Sequence, residues 1–406
     1  MNTTHESGMG DRLAELRLRR KLTQEQLAER AGISVDVIRK LEQGRRNSPR
    51  LSTINALAGA LDTEPSYLVG QPTTFEVDGD QEDRRPSVLA LREAVSPVAD
   101  LLGGDTDPED PPTIDELRAS LQSTENIRRE GRMGEIGRLL PQLIRDARAA
   151  VYASTGADRA AANSVLAVAY QVAATTLTGL GKEDAAFTAM ERSLAAVREC
   201  DDPGLETMAV STLSWVFTRQ GRLADAERIA LAHAEKIEPG FRSSPQDLAL
   251  WGILLLRAAT AAVRQEKQAA VTDLMRLAKG AAESMGEDRL VYATPFGPTN
   301  TGIAAVNFLV EMEKADEAVV AARTIPNLRS LPPTWRARFQ VDRALAYNHL
   351  GKDRAAGRAL LLAEADAPEW MRYHSTSRRL VEELRGRASR ADTEVLGLAV
   401  RLGLAG

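Results

Sequence analysis

Residues Leu16 to Gly44, LRLRRKLTQEQLAERAGISVDVIRKLEQG, confine this part of the chain to two short amphipathic helices set about a tight glycine turn. Thr23 and Gln26 stand at the spacing where hydroxyl and amide satisfy each other's backbone N–H groups, so a helix is predicted to open there and run to about Ala31. Gly32 supplies the left-handed conformation that a sharp turn needs, and Ser34 is placed to cap a second helix running towards Gln43. Leu27, Ala28, Ile33, Ile38 and Leu41 fall where two crossed helices bury side chains. Val35, Asp36, Arg39 and Lys40 are left as the exposed face of the second helix.

From about Asp11 to Gly70 the pattern resembles the helix-turn-helix of the Cro and lambda-repressor (XRE) class. Arg17, Gln24, Glu42, Gly44, the RRNSP loop, Leu51, Ile54, Leu57, Ala58 and Leu61 all stand at that family's positions. The resemblance implies a five-helix domain that binds double-stranded DNA. It implies further that Arg17 pairs with Glu42 and that Gln24 holds a phosphate at a helix start. Val35, Asp36, Arg39 and Lys40 would meet base edges in the major groove. Ser34, Arg45 and Arg46 complete the expected DNA-binding set. Val35 and Asp36 stand where family members often carry amide side chains, so no base preference carries over. The charge agrees with DNA: Arg19, Arg20, Lys21, Arg39, Lys40, Arg45, Arg46 and Arg50 outnumber the acids between Arg12 and Arg50, within a chain of net charge -5. A bundle that only dimerises or docks a protein is the alternative on these residues.

A chain of 406 residues is long for one core and predicts two or three domains. Hydrophobic residues at 43% and charged residues at 27%, with only 4% aromatic, describe a helical protein of the soluble kind. Cys200 is the only cysteine, which excludes an internal disulfide and a cysteine-based metal site, and a reducing cytoplasm is the expected compartment. The first residues lack a secretory pattern. No later run is expected to span a membrane, the richest, near Ile253 to Val263, being interrupted by Arg257.

Residues 71–112 read as an acidic linker containing proline and glycine, with a short amphipathic helix over 87–102 whose regularity Pro97 limits. That helix is expected to pack on the C-terminal domain or a partner chain, or else to stay transient in a tether. Over 113–406 helix follows helix. Ala344, Tyr347, Gly351, Ala356, Ala363 and Pro368 stand in an order similar to the tetratricopeptide repeat. Leu213, Phe217, Gly221, Ala226, Ala230 and Pro239 repeat it, and Ala174, Leu177, Gly181, Ala186 and Met190 do so more loosely. Around Val306, Leu309, Glu313, Ala318 and Ala322 the glycine is lost, and near Ala269 only the alanine survives. The resemblance implies an all-α solenoid of four or five units, with an opening pair near Ile127 to Ala150 and a closing helix after Arg378.

In tetratricopeptide arrays extended peptides lie along the first helix of each pair. Carried over residue by residue, this puts Gln171, Trp215, Arg219, Asn300, Asn307, Glu311, Arg338, Asn348 and His349 on or near a concave groove. Asn300 and Asn307 share one helical face, where their amides would either hold a peptide backbone or bridge neighbouring helices. Tyr292 to Asn300, YATPFGPTN, reads as a loop beside the groove. His5, His233, His349 and His374 lack ligand spacing, and GRLADAE and GKEDAA are repeat turns rather than phosphate loops. No enzymatic activity, cofactor or metal is expected.

An XRE-type head on a helical-repeat body resembles the peptide-sensing regulators of the Rgg and PlcR type. The resemblance implies a homodimeric transcription factor on an inverted-repeat operator, whose body binds a small ligand, a short peptide above all, and alters DNA binding. The competing reading is a repeat scaffold that stays on DNA and recruits a protein partner.

Overall fold

The computed structural model describes residues 9–44, 49, 51–63, 68, 88–98, 111–200, 202–240, 242–388 and 393–404. The head opens with α1 (Met9–Arg19), α2 (Gln24–Ala31), α3 (Val35–Glu42) and α4 (Leu51–Ala60). Thr23 Oγ1 accepts the Gln26 N–H at 3.1 Å while the Thr23 N–H donates to Gln26 Oε1 at 2.9 Å, so α2 starts at a reciprocal cap. Gly32 ends it at φ +65°. Ser34 does occupy the cap position of α3 in extended backbone, but its hydroxyl makes no capping bond, which corrects the expectation. Leu13, Leu27, Ile38, Leu41, Ile54, Leu57 and Leu61 form the buried core, with Ile33 partly buried against it. Leu68 joins this core. The rest of the expected fifth helix, Arg45, Arg46 and Arg50 lie outside the described residues.

Gly10 brings α1 against the end of α3 so closely that a Cβ there would run into the Leu41 carbonyl oxygen and the Glu42 backbone. Gly59, on α4, has nothing nearby. Gly10→Ala is therefore expected to lower head stability by about 1 to 3 kcal/mol, and Gly59→Ala to raise it by about 0.5 to 1 kcal/mol by removing backbone freedom. Thermal melts of the two variants check the contrast.

The next helix, α5 (Val88–Val95), buries Val88, Leu91, Ala94 and Val95 in the core of the body, and its Arg92 reaches Asp184 at 2.8 Å. Residues 71–87 and 99–110 of the expected linker lie outside the described residues. Six helical hairpins follow among the described residues: α6 (Ile114–Glu130) with α7 (Met133–Ala153), α8 (Gly156–Gly179) with α9 (Glu183–Val197), α10 (Pro203–Arg219) with α11 (Leu223–Lys236), α12 (Pro245–Arg264) with α13 (Gln268–Met285), α14 (Pro298–Glu311) with α15 (Ala315–Ala321), and α16 (Pro333–His349) with α17 (Asp353–Asp366). Each turn carries one left-handed residue, in order Gly131, Gly181, Gly221, Glu266, Glu313 and Gly351. The next residue is always Lys or Arg, and its N–H closes back on the first helix, as Lys182 does on Leu177 and Lys314 on Leu309, both at 2.9 Å. The turn thus persists at Glu266 and Glu313, where the sequence pattern had lost its glycine.

Between α13 and α14 the chain forms an antiparallel hairpin, β1 (Arg289–Val291) and β2 (Thr294–Phe296), where a loop was expected. Phe296 is fully buried on Gly252, and the Tyr292 hydroxyl donates to Asp202 Oδ1 at 2.6 Å. Three helices end the chain: α18 (Pro368–Tyr373), α19 (Ser375–Arg387) and α20 (Thr393–Arg401). The array curls until its ends touch. Thr334 Oγ1 donates to the Arg129 carbonyl at 3.0 Å, and the Gly134 N–H donates to Glu369 Oε2 at 3.0 Å. Contrary to the expectation from composition, α8 and α12 are each long and apolar enough to cross a membrane, yet 72% and 61% of their apolar windows are buried inside the body, where they serve as core helices.

Candidate DNA-reading face and interior cleft

On the head, one buried acid sets the position of α3. Arg17 Nε and Nη2 donate to Glu42 Oε1 and Oε2 at 2.7 and 2.8 Å, and Gln24 Nε2 donates to Glu42 Oε2 at 2.7 Å. Arg17 also donates to the Leu22 carbonyl at 3.0 Å, which ties the segment before α2 into the same knot. Burial pushes the Glu42 carboxyl up, but the Arg17 and Gln24 bonds outweigh it and hold the group below its ordinary range. The three side chains pin α1 and α2 to the last turn of α3. Gln24 was expected at a phosphate; here its amide nitrogen is partly engaged by Glu42, leaving one N–H proton for such a contact.

Outward from this knot, Asp36, Arg39 and Lys40 are exposed on α3, while Val35 is partly buried against the head core and is less displayed than its helical position suggested. Lys40 Nζ lies 2.6 Å from Asp36 Oδ2, one turn away, and this bond first of all draws the Asp36 carboxyl below its ordinary value. The helix presents a self-paired Asp36–Lys40 couple beside Arg39. Ser34, exposed and without a capping bond, stands at the start of the same face.

In the body a small cleft opens between α14, α16 and α19, lined by Asn307, Glu311, Arg338, Asp342, His349 and Arg379, together with Pro49 of the head. Of the expected groove residues, Asn307, Glu311, Arg338 and His349 meet there. Asn307 Nδ2 donates to Asp342 Oδ1 at 3.0 Å and bridges α14 to α16. Asn300 lies outside the cleft lining: its Nδ2 donates to the Pro295 carbonyl at 2.9 Å and fastens the β hairpin to α14. Asn348 bridges to α19 through Glu383 at 3.2 Å and accepts from Arg387. Gln171 is buried, and Arg219 lies 3.9 Å from Glu183. Trp215 is ringed by the guanidinium groups of Arg219, Arg257 and Arg264 at 6.0, 5.4 and 5.8 Å from its centroid.

Because the asparagine amides already serve helix packing, Asn307→Ala is expected to lower the body's stability by about 1 to 3 kcal/mol, the Asp342 carboxylate losing a buried donor. A thermal melt of the variant, with Asn348→Ala as a second bridge, reads this directly. A melting curve that matches the wild type would free Asn307 for other work.

Sequence reasoning passed over Arg264, Arg379 and Asp342. One signal was present: Arg257 and Arg264 stand two turns apart on one face of the otherwise apolar α12, and a guanidinium at such a position must face other polar groups. Among the described residues no group of three or more His, Cys, Asp or Glu side chains is arranged to hold a metal ion.

Comparison with known proteins bears on the head. A family profile described as a helix-turn-helix domain matches residues 9–67. Those residues are a helix-turn-helix domain. The chain is 44% identical over 68 residues to an immunity repressor protein of Bacillus phage phi105, and 49% identical over 55 residues to RghRB, an uncharacterized HTH-type transcriptional regulator of Bacillus subtilis. These matches span 46% and 40% of the relatives and 17% and 14% of this chain, so most of this chain lies beyond them. Among solved structures, PlcR of Bacillus thuringiensis in complex with the peptide PapR7 and DNA is 11% identical with a TM-score of 0.40 over 87% of this chain and 98% of that one. The tetratricopeptide domain of P58(IPK) is 14% identical with a TM-score of 0.24 over 89% of this chain and 98% of that one. The chain joins a helix-turn-helix head to a body of helical hairpins.

Proposed function

We infer that this protein is a transcriptional regulator that reads double-stranded DNA through α3. It acts as a homodimer on an inverted-repeat operator in the cytoplasm, and a small ligand in the body, a short peptide above all, alters its DNA binding. The observation that carries the DNA reading is the Arg17–Glu42–Gln24 knot, which fixes α3 while leaving Asp36, Arg39 and Lys40 exposed. A small head offers limited contact, and two-fold pairing doubles it. Ligand control is supported by Pro49, which comes from the segment just after α3 and lines the body's cleft, so that a group occupying the cleft meets the head directly.

Fluorescence anisotropy on a selected operator tests the reading. Arg39→Ala and Lys40→Ala are each expected to weaken specific binding by about 1 to 3 kcal/mol, roughly 5- to 150-fold, and non-specific binding by less. Unchanged affinity and salt slope in the double variant would contradict the assigned face. Light scattering on the full chain should give a mass of twice the monomer at micromolar concentration; a monomer there would contradict the homodimer.

A further inference from the structure

The interior of the body gathers several arginines and acids into one cluster whose hydrogen bonds do not all close. Arg219, Arg257, Arg264, Arg338 and Arg379 act on one another or on shared acids across it, against Glu183, Glu311, Asp342, Glu382 and Glu383. Arg264 and Arg379 are 5% and 6% exposed, yet Arg264 Nε and Arg379 Nε and Nη1 have no hydrogen-bond partner. Arg338 and Arg379 both line the cleft between α14, α16 and α19. Arg338 spends part of its charge on Asp342, whose Oδ1 lies 3.5 Å from its Nε. Burial, above all, lowers the Arg264 and Arg379 guanidinium groups to about 10, which leaves both charged at neutral pH. The same burial raises the Glu311 and Asp342 carboxyls, so they answer the arginines less than their number suggests. Unmet N–H groups on buried cations are costly, and a planar oxyanion accepting from the guanidinium fork answers both the charge and the donors.

We propose that this cleft is an oxyanion site, in which Arg379 and Arg338 receive a carboxylate or phosphate group of the ligand. The proposal rests on the reading that the body binds a small ligand, and it assigns that ligand a negative charge at the end held in the cleft. Glu311 and Asp342, beside the two arginines, set a limit on how much negative charge fits.

Thermal denaturation of the full chain with inorganic phosphate or citrate, each against sodium chloride at matched ionic strength, tests the site and separates the two oxyanions. One of them should give a saturable rise in melting temperature of about 3 to 6 °C at a hundredfold its dissociation constant. General salt exclusion gives instead a linear rise that survives any single substitution. Arg338→Gln and Arg379→Met should each abolish the saturable component. Arg379→Met keeps most of the buried stem and removes a buried charge with unmet donors, so its ion-free melting temperature should stay close to the wild type's. A response no different from sodium chloride, or a saturable rise retained in both variants, would overturn the proposal. Operator affinity measured without added oxyanion stays independent of either result, so a failure of the cleft and a failure of the DNA reading are told apart.

Discussion

Glu42→Ala is expected to lower the stability of the head by about 3 to 5 kcal/mol, because it leaves a nearly buried arginine without its carboxylate. Arg17 and Glu42 side chains are 12% and 8% exposed, and Gln24 loses its acceptor in the same step. For a small domain that is a large share of its total stability. The operator affinity should fall with it, since α3 loses the tie that sets its angle. The knot also gives the head an acid limit. The Glu42 carboxyl lies lower in the folded state than in the unfolded one, so its contribution is complete above the ordinary value of about 4.5 and is lost as pH falls through the lowered folded value. Chemical denaturation of wild type and Glu42→Gln between neutral pH and pH 3 should show the wild type losing more stability than the variant. Parallel curves would mean the pair adds no pH dependence.

Phe296→Ala is expected to lower the stability of the body by about 3 to 5 kcal/mol. The ring is fully buried and fills the space above Gly252, and the hairpin it anchors also places Tyr292 on Asp202 and gives Asn300 its acceptor. Gly252→Ala should destabilise as well, since the added methyl group and the ring claim the same volume. Calorimetry on both variants, with the head transition as internal reference, measures the loss. An unchanged transition for Phe296→Ala would remove the hairpin as a brace of the array.

What the sequence disclosed follows the range of the forces involved. The turn at Gly32 and the cap at Thr23 are local, set by a few neighbouring residues, and they were readable together with the buried stripe of Leu27, Ile38 and Leu41. The repeat turns at Gly181, Gly221 and Gly351 were legible for the same reason. At Glu266 and Glu313 the backbone keeps its left-handed turn without glycine, so the helices there were less distinct in sequence than in structure. The meeting of Arg129 with Thr334 and of Gly134 with Glu369 depends on curvature summed over every hairpin, which no short window contains. Asn300 and Asn307 shared a helical face as expected, but where their amides go is decided by Pro295 and by Asp342 on another helix. The interior arginines were hidden because a guanidinium in sequence reads as surface, and only packing shows which ones are enclosed.

The account depends above all on α3 reading DNA. Selection of bound duplexes from a random pool by the purified full chain, followed by sequencing, tests this most directly. The account predicts enrichment of one motif with two inverted half-sites, about a helical turn apart between centres, and loss of that enrichment in the Arg39→Ala, Lys40→Ala double variant. A pool that stays random with the wild-type chain, or a motif enriched equally by the double variant, would contradict it.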